Sequence, residues 1–262
     1  MGPMLASGVS DLLDLGQSFR RYFTIVPALT DELRRQAFRI RHQVYCEELA
    51  YERVRADGLE TDGYDAQSLH CLIRSLKTGT YVGCARLVLP RRADPLHPLP
   101  FERICADTLD RSTVDPRSLP RHSIAEVSRL AVVSAYRARR GERTMLAPLT
   151  TESFGTVSRP RFPYIICGLY LGIIELAALH GIENLFVLTE ARLVHQLARL
   201  GVTLTQIGTA VEHRGMRVPS VLRVSSIVAG LNFVVRPLYQ VIAQQVREGF
   251  SYSLERRTLP AN

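Results

Sequence analysis

The segment Glu60-Thr-Asp62-Gly-Tyr-Asp65-Ala-Gln-Ser68-Leu-His70 crowds three carboxylates and an imidazole into eleven residues. Downstream, Val82-Gly-Cys-Ala-Arg86-Leu sets an arginine in an apolar run, and Glu126-Val-Ser128-Arg129 adds another acid and another arginine. Moving an acyl group from a thioester to an amine requires the amine to lose a proton and the thioester oxygen to be stabilised as charge develops. An acidic loop feeding a strand with a histidine, then a strand with an arginine and a later strand with a Glu/Arg pair, suits that chemistry.

Each candidate also has a plainer role. Glu48 and His70 are the residues suited to proton work. Helical spacing puts Glu48 on the face of Arg41, where a partly buried carboxylate could act as a base or orient one; alternatively Glu48 pairs with Arg41, and Glu52 with Arg55, on a solvated face. His70 sits where loop becomes strand, a position more often held by a hydrogen-bonded structural histidine. Arg86, between Cys84 and Val88 on an apolar strand face, needs an anionic partner. Asp62 or Asp65 would make it structural and a substrate carboxylate would make it functional; both stay open. A period of two sends Glu126 and Arg129 to opposite faces of their strand, so each requires its own partner. Arg137, Arg139, Arg140 and Arg143 around Gly141 form either a solvated basic turn or a phosphate cradle at a helix N-terminus.

The elements that position these residues follow from periodicity and turn chemistry. Asp11 to Phe23 reads as an amphipathic helix with Leu12, Leu15 and Phe19 on one face. Thr30-Asp-Glu-Leu33 caps a second helix, on which Ala37, Arg41, Val44, Tyr45, Glu48 and Glu52 recur at three- and four-residue steps. Two strands, Leu69 to Ser75 and Tyr81 to Leu89, flank a turn at Gly79. Pro90 to Pro120, with six prolines, is a long connection holding one short helix near Phe101 to Ala106. Ile124 to Val133 is the next strand. Then come a helix over Arg161 to His180 ended by Gly181, a strand over Leu185 to Thr189, and a helix over Ala191 to Leu200. Strands over Thr203 to Val211 and Ser220 to Val228 follow, then a helical run within Leu231 to Phe250 containing Pro237. The order gives a mixed α/β sheet flanked by helices, not a doubly wound one. Residues 1–23 read as an N-terminal helical segment, 24–219 as the main domain, and 220–262 as a last strand with a C-terminal helical extension.

Composition fits that reading. The 262 residues are 46% hydrophobic and 22% charged, enough for a sizeable core. The five cysteines show neither a disulfide framework nor metal-ligand spacing, so a reducing cytoplasm and no metal are expected. The N-terminus lacks the order of a signal peptide, and Tyr164 to Leu179 is too short to span a bilayer. A net charge of +8 resting almost wholly on arginine points to an acidic partner: nucleic acid, anionic lipid or an acidic carrier protein. No nucleic-acid-binding motif accompanies it. The C-terminal stretch could simply pack, cap an acyl tunnel, dimerise or touch a membrane surface peripherally.

Taken in order, Arg41-x-x-Val-Tyr-Cys46, Glu60-x-Asp62-x-x-Asp65, Gly83-x-x-Arg86-Leu and Glu126-x-Ser128-Arg129 resemble the autoinducer (acyl-homoserine-lactone) synthases. Val44 to Glu48 and the Asp65-x-x-Ser68-x-His70 stretch are closer to their relatives, the N-acyl amino acid synthases and the acyltransferases of exosortase/PEP-CTERM systems. The similarity runs from about Arg35 to Pro219. It implies a GNAT-like fold whose sheet splays to admit a pantetheine arm, and transfer of a long-chain acyl group from acyl carrier protein, rather than free coenzyme A, to the amino group of an amino acid. By the resemblance Glu48, His70 and Arg86 are catalytic, while Arg41, Asp62, Asp65, Glu126, Ser128 and Arg129 shape the site. Arg137, Arg139, Arg140, Gly141 and Arg143 stand where ordinary acetyltransferases carry a more glycine-rich phosphate loop. Two alternatives are homoserine lactone synthesis, disfavoured because the tryptophan that autoinducer synthases carry after the first helix is absent, and a non-catalytic GNAT-like module that binds an acylated carrier or lipid.

Overall fold

Leu15 and Phe19, one helical turn apart, are buried on the inner face of α1 (Leu15–Tyr22). The computed structural model describes residues 15–137, 155–156, 159–160, 164–190 and 202–258, so Leu12 and the start of the expected helix lie outside them. The helix stops at Tyr22 because Phe23-Thr-Ile-Val-Pro27 forms β1 (Phe23–Pro27), antiparallel to β2 (Ser68–Ser75). The sequence reading passed over this short strand. Thr30 caps α2 (Asp31–Arg41) as expected, its hydroxyl accepting from the Leu33 N–H at 3.3 Å.

Past Arg41 the helix changes pitch. His42–Glu48 is a π-helix, with the Leu49 N–H bonded back to the Val44 carbonyl. The extra residue in this turn shifts the phase of everything after it. Arg41 and Glu48, expected on one face, therefore reach different partners: Arg41 turns to the acidic loop and Glu48 to Ser134 and Arg137.

β2 and β3 (Tyr81–Val88) form the expected hairpin, in which His70 faces Arg86 across the ladder. β4 (Ile124–Val132) continues the sheet, reached through the proline-rich connection and its one helix, α3 (Pro100–Ile104). Phe101 of that helix stacks on Phe186 with ring centroids 4.4 Å apart, which fixes the long connection against the sheet. After β4 come α4 (Ser134–Arg137), the two-residue ladder β5 (Gly155–Thr156) and β6 (Arg159–Pro160), and α5 (Tyr164–Leu179). Gly181 follows α5 with a φ of 68°, the left-handed stop its sequence announces. Arg139, Arg140, Gly141, Arg143 and the expected helix over Ala191 to Leu200 lie outside the described residues.

β7 (Asn184–Thr189) pairs parallel with β4. The expected strand over Thr203 to Val211 is reduced to two fragments, β8 (Thr205–Gln206) and β9 (Val211–Glu212). The last strand, expected over Ser220 to Val228, is instead β10 (Met216–Arg223), and Val224 already begins α6 (Val224–Gly230). Pro219 and the turn at Gly215 obscured its start, whereas pairing with β7 carries it through. The C-terminal helix is α7 (Arg236–Thr258), with Pro237 near its start, where no intrahelical N–H is needed.

The sheet order is β1-β2-β3-β4-β7-β10-β8, with β9 on β10. One of its faces meets α5, which α1 and α7 flank. Gly168 and Gly172 let α5 sit close, since a Cβ would lie 2.9 Å from the Phe19 ring and 2.7 Å from Cys71 Sγ respectively. The other face meets α2, where Cys84 Sγ contacts the Ala37 carbonyl. The mixed α/β sheet with a C-terminal helix is the expected architecture. No described helix is long and apolar enough to cross a membrane.

Candidate active site

The acidic loop folds on itself first. The Tyr64 N–H donates to Asp62 Oδ1 at 2.9 Å and the Asp62 N–H to Asp65 Oδ2 at 2.7 Å, the local turn chemistry that aspartates favour. Three arginines from three elements then lock it. Arg41 of α2 pairs with Glu60 and reaches both Asp65 oxygens, at 2.6 and 3.0 Å. Arg86 of β3 contacts Asp62 at 2.7 Å and Asp65 at 2.9 Å, and its Nε donates to Ser128 Oγ at 3.1 Å. Arg129 of β4 meets Glu60 at 3.2 Å and Asp62 at 3.0 Å. Three cations and three carboxylates thus alternate in a closed network, and Arg41 and Arg86 are almost wholly buried. Burial alone would raise Asp65 and Asp62, but the adjacent arginines outweigh it and hold both carboxyls below their ordinary range. The partner of Arg86, open in the sequence, is this loop.

Arg129 reaches the network through an irregularity. Arg86 faces Ser128 while Cys84 faces Ala131, so β4 carries an extra residue here, and Arg129 takes a φ of 53°. Such a bulge breaks the alternation of faces. Glu126 and Arg129, expected on opposite sides, do take different partners, yet both line one cavity.

Two expected catalytic residues stand elsewhere. His70 is buried with no hydrogen-bond partner on either ring nitrogen, Nε2 lying 3.7 Å from Asp65, and it lines none of the described cavities. Burial first, then Arg41, pushes its pKa down to about 3, so the ring is neutral. Glu48 accepts from the Ser134 N–H and hydroxyl and pairs with Arg137, capping α4. The structure brings Arg86, Asp62, Glu126, Ser128 and Arg129 together, leaves Arg41, Asp65 and His70 behind them, and separates Glu48 and Arg137 from the group.

The cavity measures about 290 Å³. It opens where β4 and β7 part: their paired register ends at Val127 and Val187, and residues 128–130 and 188–190 line its sides. Arg214 and Arg217 close another side, Arg214 paired with Glu52 and Arg217 with Glu190. Glu126 differs from every other carboxylate in this cluster. It is buried, its Oε2 accepts from the Phe101 N–H at 2.7 Å, and among the described residues no arginine pairs with it. Burial pushes its pKa up to about 8, the Phe101 N–H and the more distant Arg86 and Arg129 opposing only in part. A second cavity, of about 50 Å³ and lined almost wholly by apolar side chains, shares Val127, Tyr170, Val187 and Thr189 with the first. Tyr170 therefore stands at the junction, and burial raises its hydroxyl well above the ordinary phenol value, keeping it a donor.

Sequence reasoning gave Glu126 a shaping role only. The argument applied to Arg86, a charge on an apolar strand, would have singled it out. Tyr170, inside an apolar helix, carried no such signal.

An acidic clamp, a splayed sheet and a buried acid at the split define the site. Residues 40–147 match the model of the acetyltransferase (GNAT) domain family. The match covers the part of the chain that holds the acidic clamp and the first of the parted strands. The acyl-homoserine lactone synthase LasI is similar at TM-score 0.54 and 17% identity, over 80% of this chain and 95% of LasI. The CoA-dependent acyl-homoserine lactone synthase BjaI, solved with SAM and isopentyl-CoA, gives 0.54 and 19%, over 86% and 98%. FeeM, an N-acyl amino acid synthase from uncultured soil microbes, gives 0.50 and 14%, over 81% and 96%. At these identities the likeness is one of fold. No curated protein matches the chain. The fold is the one these synthases share.

Proposed function

We propose that the chain transfers an acyl group from a thioester on a pantetheine arm to the amino group of an amino acid. The observation that carries this reading is Glu126. Among the described residues every arginine of the cavity has a carboxylate partner and Glu126 is the buried acid without a cation, and an incoming ammonium would supply one.

The α-ammonium of a free amino acid is a far weaker acid than an ordinary carboxylic acid, and burial narrows that gap by raising Glu126 to about 8. A narrower gap favours proton transfer from the ammonium to this carboxylate. The proton passes from ammonium to Glu126, the amine nitrogen bonds to the thioester carbon, and the carbonyl oxygen takes up the electron pair. The Tyr170 hydroxyl, at the junction of the two cavities, donates to that oxygen. The electron pair on oxygen then returns, the C–S bond breaks, and the departing thiolate takes up the second proton shed by the amine nitrogen, which leaves a neutral amide and a thiol. The acyl tail lies in the apolar cavity. The parted edges of β4 and β7 offer peptide groups to the amides of a pantetheine arm.

FeeM, an N-acyl amino acid synthase, and BjaI, solved with SAM and isopentyl-CoA, support the reaction class. Acyl carrier protein is the proposed donor, since the surface is basic. The test incubates the protein with acyl carrier protein or coenzyme A thioesters and each amino acid, or with S-adenosylmethionine, and reads products by mass spectrometry. N-acyl amino acid formed by the wild type and lost in Glu126→Gln is expected. Acyl-homoserine lactone from S-adenosylmethionine alone would replace the amino-acid reading. No product from any pair would overturn transfer.

A further inference from the structure

Residues from the C-terminal region help to line the apolar cavity. Leu231 and Val235 line it but not the polar cavity, and Leu185 and Leu222, a cross-strand pair, do the same. Leu231 and Val235 are each 3% exposed. They belong to the turn joining α6 to α7, and that turn is pinned at both ends. Asn232 Oδ1 accepts from the Val234 and Val235 N–H groups, at 3.2 and 3.0 Å. Arg236 Nη2 donates to the Ala229 and Leu231 carbonyls, at 3.1 and 3.2 Å. A turn with these bonds holds its side chains in place rather than letting them yield. Between the two inward residues, Phe233 points away, 81% exposed.

We propose that Leu231 and Val235 form the floor of the acyl pocket and set the longest acyl chain the protein accepts, and that this limit is short. The inference rests on the acyl-transfer reading for the identity of the occupant, though not for the existence of the floor. The apolar cavity, at about 50 Å³, is far smaller than the polar one, at about 290 Å³. It suits the tail of a short acyl group, not the long fatty chain that the family resemblance implies. A deeper tail has to displace Leu231 or Val235, and close packing makes that unfavourable.

Two readouts test the floor on the full-length protein. The first is binding of a ladder of S-acyl pantetheines, from butyryl to tetradecanoyl, by calorimetry; the second is acyl transfer with the same ladder. The wild type should bind and use the short members best. Leu231→Ala and, as the milder change, Val235→Ala should move the preferred length up by about two carbons and raise the affinity for longer chains about tenfold or more. Phe233→Ala, in the same turn but facing outward, should leave the profile unchanged. A wild type that favours tetradecanoyl, or an unshifted profile in both floor variants with cooperative unfolding intact, overturns the proposal. If the binding ladder shifts as stated but no variant or wild type transfers to any amine, the floor stands and the transferase reading falls.

Discussion

Replacing Glu126 with glutamine should make the protein more stable at high pH while removing its activity. Glutamine keeps the shape and the acceptor for the Phe101 N–H, but has no proton to lose. In the wild type, burial raises the carboxyl from 4.5 to about 8. A raised acid binds its proton more tightly folded than unfolded, so its contribution is intact below about 4.5 and is lost as pH rises through about 8. At ~1.4 kcal/mol per pH unit, the loss has a ceiling of about 5 kcal/mol above that pH. Urea unfolding of both proteins from pH 5 to pH 9 reads it directly. The two curves should match within about 1 kcal/mol at the acid end. They should diverge as pH rises, with the glutamine variant ahead by several kcal/mol at pH 9, while acyl transfer falls by about 10²–10⁴-fold. Parallel curves across the whole range would refute the claim that this carboxyl is buried without a cation, and with it the ground for placing the amine there.

Arg86→Ala leaves Asp62 and Asp65 with one cation fewer and should cost about 3–5 kcal/mol in urea unfolding. Tyr170→Phe should fold normally, and its kcat should drop by about 10²–10³ with the KM for donor little changed. Glu48→Gln keeps an acceptor for Ser134 and should lose about 1 kcal/mol of stability with turnover intact, since Glu48 serves α4. His70 has its pKa lowered to about 3, so the stability it contributes is complete above about 6.5 and lost as pH falls. His70→Phe should therefore flatten the stability profile between pH 6.5 and 4, and equal slopes in the two proteins would contradict a buried neutral imidazole.

Features with a local cause were legible in the sequence. The Thr30 cap, the hairpin around Gly79 and the stop at Gly181 each depend on a few consecutive residues, and each stands where expected. Features created by phase were not. The π-helix at His42–Glu48 and the bulge at Arg129 each insert one residue into a regular repeat, and nothing in the residue types marks them. One error removed Glu48 from Arg41, and the other set Glu126 and Arg129 around one cavity. β1 and β10 were misjudged for a related reason, because each is held by pairing with a strand distant in sequence rather than by its own composition. Asp62 and Asp65, read from the sequence as a frame, sit in the arginine clamp. The sequence suggests Glu48 and His70 for proton work, whereas our proposal for Glu126 rests on the split between β4 and β7, a long-range property of the sheet.

The matching of arginines with carboxylates around the cavity has a kinetic consequence. Arg41, Arg86, Arg129, Arg214 and Arg217 face Glu60, Asp62, Asp65, Glu52 and Glu190, so with Glu126 protonated the chamber carries no net charge. Attraction of an anionic donor then comes from the outer surface of a chain of net charge +8. Solvent ions screen that outer field over ~8 Å at physiological salt but hardly reach the buried pairs. Ionic strength should accordingly govern how often a donor arrives, while the bond-making step proceeds at a rate nearly indifferent to salt.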